Sequence, residues 1–543
     1  MTVTKPKLCC WYLAVLGAAI VLYAISCAPG ALWQDSGLIH YRIWHNDIEG
    51  FLGLAISHPL FYILAIAAKY VPLGEYGYRV NLVSAVAAAV AVANLFLFVR
   101  LLLDRSFPAI IAAVTLAVSH TFWAHASIIE TYTLWAALFF AELIMLLQYT
   151  KTKQVGYLYW LGLLNGLAIA DHMLASIPLA CYSIFLLTLL LQKRIRLRHL
   201  GIIILLWVIG ALPYEYLIIK NILQTKDVAA TLASAAFGNR WQGDVLNTSL
   251  SAKIIKESFL FILLNFPTPN ILLFFVGFFA IFKLSISRAI RNVLLGAAIL
   301  FFVFAFRYTV PDRYAFFIPF YCAASVFMGL GTHHFHQRAK SKAFGPVVVA
   351  FSLLPIVIYA AAPTLAKKIQ LNLGTRADIP YRNDYEYFLQ PWKTGYRGAE
   401  QFAEKALQVS QNDSLIYADM TTVGPLVYAQ EVKGKRPDVK IVSAIIKSKN
   451  APDFNEQTIA QLLNERTVYV VSRRPGYCPA FVLDNYDLVP AGILWRLVER
   501  EKKIPGSAKT EEHAYQTHAR QSARIQPLRL CLAECVSGGS GSS

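Results

Sequence analysis

Apolar residues in this chain fall into long, nearly unbroken blocks. They do not show the alternation of a half-buried strand or the narrow stripe of a surface helix. A helix needs about 20 predominantly apolar residues to cross a bilayer. Blocks of that order lie near 9–29, 80–103, 108–128, 132–150, 156–172, 174–192, 200–218, 266–284, 292–308, 313–331 and 345–362, which predicts about eleven transmembrane helices. A further apolar stretch at 53–72 carries Pro59 beside His58, and proline removes a helical hydrogen bond. It is read as an interfacial or re-entrant helix between two spans. Beyond the last span the pattern changes over a tail of roughly 160 residues, the size of one small domain. Ser414–Ala418, Val439–Ala444 and Thr467–Ser472 read as strands there, with helices at Pro425–Val432 and Phe454–Arg466. The tail is therefore expected to be a small α/β domain.

Composition supports the bilayer reading. Of 543 residues 57% are apolar and only 15% charged, whereas soluble domains carry about 25% charged residues. That excludes a soluble enzyme, a disordered chain and a disulfide-stapled secreted domain. The net charge is +18, but the basic residues lie in short loops between apolar blocks, which argues for topology and against nucleic acid. Lys5 and Lys7, Arg100 and Arg105, Lys151 and Lys153, and Lys193 to Arg198 occupy alternate connections, followed by Lys283, Arg288 and Arg291 and by Arg338, Lys340 and Lys342. The positive-inside rule then gives a cytoplasmic N-terminus, an uncleaved first span and a C-terminal domain on the periplasmic or extracytoplasmic side. Counting 53–72 as a span would invert the later loops. The expected domains are a transmembrane part at 1–363, with outer loops at about 30–79 and 219–265, an extracytoplasmic α/β domain at 364–530, and a tail or linker at 531–543. The eight cysteines show no paired metal-ligand spacing and read as small buried side chains, with Cys531 and Cys535 close enough to pair in an oxidising compartment.

Mapping ionisable and aromatic residues onto this topology gathers them on the outer side. Asp35, His40, Arg42, His45, Asp47, Glu49 and His58 lie in the first outer loop, and Tyr78, Arg79 and Asn81 open the following span. His120, Trp123, His125, Glu130 and Tyr132 surround the next outer turn, Asp171 and His172 another, and Asp312 and Arg313 a fifth. Each alone reads as interfacial solvation or aromatic belt. Together they suit a substrate with its tail in the bilayer and a charged head at the surface. Arginine forks onto phosphate, a carboxylate takes a proton from a hydroxyl nucleophile, and aromatic faces hold a sugar ring. The histidines are spaced near one helical turn but form no His-Glu-x-x-His motif, so no metal is expected.

These residues resemble the GT-C class of membrane glycosyltransferases, in particular the protein O-mannosyltransferase-like family once catalogued as domain of unknown function 2723. The likeness runs in order through Asp35-Ser36-Gly37, where Leu38 replaces the usual glutamate, and through His58-Pro59-Leu60 with Tyr62, which lacks one proline. It continues through Tyr78-Arg79-Val80-Asn81-Leu82-Val83-Ser84, Phe122-Trp123 and Ile129-Glu130-Thr131-Tyr132-Thr133-Leu134. Gly166-Leu167 with Asp171-His172, Leu212-Pro213-Tyr214, Val310-Pro311-Asp312-Arg313-Tyr314 and Lys435-Arg436-Pro437-Asp438-Val439 complete it, over most of residues 30–445.

The resemblance implies transfer of a monosaccharide, mannose as the first expectation, from a polyprenyl-phosphate carrier to an acceptor hydroxyl on protein Ser or Thr, with inversion. It assigns Asp35 as general base, Arg313, Arg79 and His58 to the donor phosphate, and Trp123, Glu130, Tyr132, His172, Asp312, Tyr78 and Asn81 to sugar and acceptor. It requires no cofactor beyond the lipid-linked sugar, and the implied partners are the bilayer, that donor and a protein or glycan acceptor. Two alternatives stay open: the same fold glycosylating a lipid or glycan, and a transporter or flippase, for which Glu142 and Glu215 are the mid-membrane ionisable residues nearest to qualifying.

Overall fold

The computed structural model describes residues 5–500 apart from 239, 240, 311, 339, 340 and 375. The proposed pairing of Cys531 with Cys535, the tail at 531–543, Lys340 and Pro311 lie outside the described residues. The chain divides into two compact units, one of residues 1–32, 36–363 and 386–397, the other of 33–35, 364–385 and 398–543. Residues 33–35 thus group away from the rest of the loop to which sequence assigned them, and the segment 386–397 groups with the helices that precede it.

The first unit is helical. It comprises α1 (Lys5–Ser26), α2 (Asp35–Trp44), α3 (Pro59–Ala68), α4 (Tyr76–Leu103), α5 (Ser106–Ala117), α6 (His120–Ala126), α7 (Tyr132–Thr152), α8 (Gly156–Asp171) and α9 (Ser176–Leu191). There follow α10 (Leu197–Thr225), α11 (Val228–Phe237), α12 (Gln242–Val245), α13 (Ala252–Asn265), α14 (Leu272–Ala280), α15 (Arg288–Arg307), α16 (Ile318–His336) and α17 (Phe344–Lys368). Eight helices are long and apolar enough to cross a membrane, or ten if two bent pairs each form one span; α8, at 16 residues, is shorter. The span expected at 108–128 is the pair α5 and α6, bent by 68°, and that at 266–284 contains α14, which follows α13 across a bend of 110°. Residues 53–72 form only a single 3-10 turn and the 10-residue α3, too short to span. The second outer loop is not a loop: it holds α11, α12 and α13, and α10 runs on to Thr225.

Between apolar helices in a membrane the hydrophobic effect offers little, so close backbone approach does the packing. A Cβ at Gly166 would lie 2.1 Å from the Trp207 carbonyl oxygen, and one at Gly210 would lie 2.3 Å from that of Leu163, so α8 and α10 meet backbone to backbone. Gly277 and Gly331 do the same for α14 and α16.

The second unit carries a five-stranded sheet in the order β2-β1-β3-β5-β4, from β1 (Leu415–Tyr417), β2 (Lys440–Val442), β3 (Val468–Val470), β4 (Tyr486–Ala491) and β5 (Leu494–Glu499). β1 pairs in parallel with β2 and β3, while β5 runs antiparallel to β3 and β4. The helix Gly398–Val409 precedes them. Arg436 explains the basic motif at Lys435–Val439: its guanidinium donates to the carbonyls of Leu407 (2.8 Å), Ser410 (3.1 Å) and Gln411 (3.1 Å) past that helix and to Asp438 (2.7 Å). A cation on the last carbonyls satisfies orphan acceptors and the negative helix end.

Candidate active site

The candidate residues of the first unit gather at one end of the helices, where α1 ends, α4 and α7 begin and α8 stops. Asn81 ties this end together. Its amide nitrogen donates to the carbonyls of Ala28 (2.9 Å) and Gly30 (3.1 Å), and its oxygen accepts from Ile129 N–H (2.9 Å) and His40 Nε2–H (3.2 Å). Every hydrogen-bonding position of the amide is used inside the protein. Asn81 is therefore held as a structural cross-link. Tyr78 donates its hydroxyl to Ala24 O (3.1 Å), and Trp123 donates its indole N–H to Ser26 Oγ (2.9 Å) while packing against Trp392 at 5.1 Å. Their polar edges anchor α1; only their ring faces are left for a ligand.

Arg313 is likewise engaged within the protein. One terminal nitrogen donates to Ser258 Oγ (2.8 Å) and Phe306 O (3.2 Å), the other to Ile254 O (3.3 Å) and the Glu257 carboxylate (2.9 Å). The buried guanidinium is paired with Glu257 and staples α13 to the turn after α15. Nothing in the sequence marked Glu257, because it lay in a stretch read as loop. Arg79, half-buried on the first turn of α4, donates to Val71 O (2.5 Å) and makes no ion pair among the described residues.

A connected cluster of histidines and aromatic rings forms where α3, α7 and α8 meet. His58 precedes Pro59 with φ 51°, ψ 47°, a left-handed conformation that costs an L-residue about 1–2 kcal/mol and aims its ring inward. Its Nδ1–H donates to Asp171 O (2.7 Å), and burial pushes its pKa down to about 4, an effect that the nearby Arg42 guanidinium reinforces. Neutral His58 thus presents Nε2 as an acceptor. His172 lies 4.7 Å away ring to ring, and its Nδ1 accepts from Leu174 N–H (3.1 Å), so its proton is on Nε2. Tyr132 packs 5.0 Å from His172 and 5.3 Å from His125, with Phe316 at 5.8 Å and Tyr314 at 6.1 Å from His125. Asp312 and Glu130 lie within electrostatic range of the Tyr132 hydroxyl. Ser84 fixes the backbone of Glu130 through both N–H and C=O, each at 2.8 Å. The structure thus brings together His58, His172, Tyr132, Glu130 and Asp312. Asp171, which sequence placed beside His172, is fully buried with neither carboxylate oxygen hydrogen-bonded among the described residues.

Asp35 opens α2, where a helix N-terminus favours a carboxylate. Its surface is exposed, yet the surrounding protein desolvates the group enough to raise its pKa above the ordinary carboxylate value. Of its neighbours in sequence, Asp47 pairs with Arg42 at 3.5 Å and Glu49 with Lys220, which occupies both in structure. Lys393 gave no signal in sequence. It is buried, with Nζ donating to Tyr387 O (3.0 Å) and Gln390 O, and burial lowers its pKa to about 7. Its backbone N–H bonds Ser26 O (2.7 Å), so the segment 386–397 is strapped to α1. Glu142, considered for a transporter, does have a partner at its depth: Asn165 Nδ2 donates to it at 3.2 Å, and Trp207 donates to Asn165 at 3.1 Å. Among the described residues no group of three or more His, Cys, Asp or Glu side chains is arranged to hold a metal.

Residues 54–196 match the family described as the protein O-mannosyl-transferase TMEM260 N-terminal domain, a stretch that includes His58, Arg79, Glu130, Tyr132 and His172 but neither Asp35 nor Arg313. No curated protein sequence matches the chain. Among solved structures, ArnT from Cupriavidus metallidurans bound to undecaprenyl phosphate is similar with a TM-score of 0.58 and 13% identity, over 90% of this chain and 97% of that one. The chain has the GT-C glycosyltransferase fold. ArnT in the apo state gives the same picture for the GT-C assignment, with a TM-score of 0.57 and 14% identity over 90% and 97% of the two chains. The oligosaccharyltransferase AglB from Archaeoglobus fulgidus is a weaker likeness, with a TM-score of 0.47 and 14% identity over 91% of this chain and 75% of that one. The O-mannosyl-transferase domain match makes this GT-C protein a membrane glycosyltransferase.

Proposed function

We propose that the protein transfers a monosaccharide, mannose, from a polyprenyl-phosphate carrier to a hydroxyl of a protein Ser or Thr. The observation that carries this reading is the His58–His172–Tyr132 cluster, which lies within the stretch matching a protein O-mannosyl-transferase domain. ArnT, of the same fold, was crystallised with undecaprenyl phosphate, which supports a polyprenyl-phosphate donor here. In the proposed reaction the acceptor oxygen attacks the anomeric carbon while the bond from that carbon to the phosphate oxygen breaks. Configuration inverts, the acceptor proton passes to the Asp35 carboxylate, and polyprenyl phosphate departs. Arg79 meets the phosphate charge and His58 the phosphate or sugar. Tyr132, His172, Glu130 and Asp312 shape the sugar pocket. The nucleophile, base and leaving group are all organic, so no metal or nucleotide is invoked. The chain is read with its N-terminus cytoplasmic and this site on the outer face.

The test uses purified protein in detergent with radiolabelled polyprenyl-phosphate mannose and a membrane extract as acceptor, comparing wild type with Asp35→Asn and His58→Ala. Label moving into protein, with loss of about 10²-fold or more in Asp35→Asn, supports the reading. Label in lipid or free glycan corrects the acceptor. Equal transfer by wild type and Asp35→Asn overturns the base.

A further inference from the structure

The ends of the helices opposite the histidine cluster carry an open cavity of about 600 Å³, lined by Phe107, His336, Ser341, Lys342, Gly345, Pro346 and Val349. It lies where α5 begins, α16 ends and α17 begins, and α16 carries 19 residues, about 28 Å of helix, away from Phe317. Its size falls within the about 300–1,000 Å³ usual for small-ligand sites. One wall is polar. His336 is held by the rings of Phe107 (5.1 Å) and Phe344 (6.1 Å), and Ser341 accepts the Ala343 N–H (3.2 Å), which leaves its O–H free to donate. Lys342 contributes an exposed ammonium with no ion pair among the described residues. The nearest helix ends add Arg105 and Arg338, and the one carboxylate among them, Asp104, is taken by Arg100 at 2.6 Å. The other wall is apolar, and it continues into exposed Val347, Val349 and Phe335, side chains suited to acyl chains and not to water. Gly345 keeps the cavity open: a Cβ there would meet only the Phe107 ring, at 3.9 Å.

We infer that this cavity binds the phosphate head of an anionic membrane phospholipid, with Lys342, His336 and Ser341 on the phosphate and the apolar wall along the acyl chains. Basic pockets between transmembrane helices recognise anionic headgroups by this combination, each cation contributing about a fivefold factor in affinity. The site is separate from the transfer chemistry and does not depend on it. The test is native mass spectrometry of the full chain in micelles containing equal phosphatidylglycerol and phosphatidylcholine, for wild type, Lys342→Gln and Gly345→Leu. Retention of phosphatidylglycerol over phosphatidylcholine is expected in wild type, weakened about fivefold in Lys342→Gln and lost in Gly345→Leu, where a side chain fills the cavity. Leucine at a helical position is favourable for folding, so that variant reports on the space and not on stability. Equal retention of the two lipids by wild type, or selectivity unchanged in Gly345→Leu, overturns the inference. Displacement of phosphatidylglycerol by millimolar inorganic phosphate overturns the lipid source and assigns a free anion instead.

Discussion

At the scale of single residues, the site separates side chains committed to the protein from those with free chemistry. Asn81 spends its whole amide on Ala28, Gly30, Ile129 and His40. Asn81→Ala strands several buried donors and acceptors at about 1–3 kcal/mol each. Thermal unfolding in detergent should show a large loss of stability, with transfer per folded molecule far less affected; a variant as stable as wild type but unable to bind donor would return Asn81 to the sugar site. Asp35 makes the opposite prediction. Its pKa is raised by desolvation, and a general base works only as the carboxylate. Lowering the pH protonates and silences it, so kcat/KM should fall on the acid side along a limb displaced above the ordinary carboxylate value of about 3.9. A transfer rate followed over about pH 4 to 8 should show that limb in wild type, and a flat profile would mean that another group takes the proton.

Among elements, the contact of α8 with α10 depends on glycine in a way that a single substitution exposes. Gly166→Ala forces a methyl into the Trp207 carbonyl, whereas Gly201, on the same α10, has nothing within 4 Å of its Cβ position. Gly166→Ala should lose about 1–3 kcal/mol as the helices separate, and Gly201→Ala should gain slightly through helix propensity. Equal thermal shifts for the two would contradict the packing. The strap at 386–397 gives a pH signature. The Lys393 pKa in the fold, about 7, lies below the unfolded value near 10.4, so between them the unfolded chain holds the extra proton. Stability should therefore rise with pH across that window, with the full penalty present below it, and Lys393→Met should flatten the slope of melting temperature against pH. These elements also mark how far sequence reading reaches. The spans were legible because 20 apolar residues have few other uses, and β1, β2 and β3 because they are short buried runs between helical patterns. The bends after Ala117 and Asn265 were not, since hydropathy is blind to direction. Nor was the β4–β5 hairpin, whose Asp487, Pro490 and Arg496 dilute the alternation. The site was legible as a set of loops but not as a partition of roles: Arg313 and Asn81 have the same letters whether they hold a substrate or a helix, and Lys393 is distinguished only by its burial.

For the whole molecule, the decisive question is which membrane face each end of the helices meets. Arg100 and Arg105, Lys151 and Lys153, Lys193 to Arg198, and Lys283 to Arg291 all lie where α4, α7, α9 and α14 finish, the ends away from His58 and His172. This topology counts each bent pair as one crossing and α3 as none. Were α3 a span, the basic loops after it would fall on the opposite face from Lys5 and Lys7, and the charge bias would no longer be uniform along the chain. The bias instead predicts a cytoplasmic basic end and an outer histidine cluster, where a lipid-linked sugar would have to be presented. Single cysteines test this in a background with all eight native cysteines replaced by serine, using a membrane-impermeant maleimide on intact cells. Glu75→Cys, in the exposed turn before α4, should label without permeabilisation, and Arg194→Cys, between α9 and α10, only after it. The reverse order would invert the topology and move the proposed reaction to the cytoplasm, and labelling of both in intact cells would mean that an odd number of crossings does not separate them.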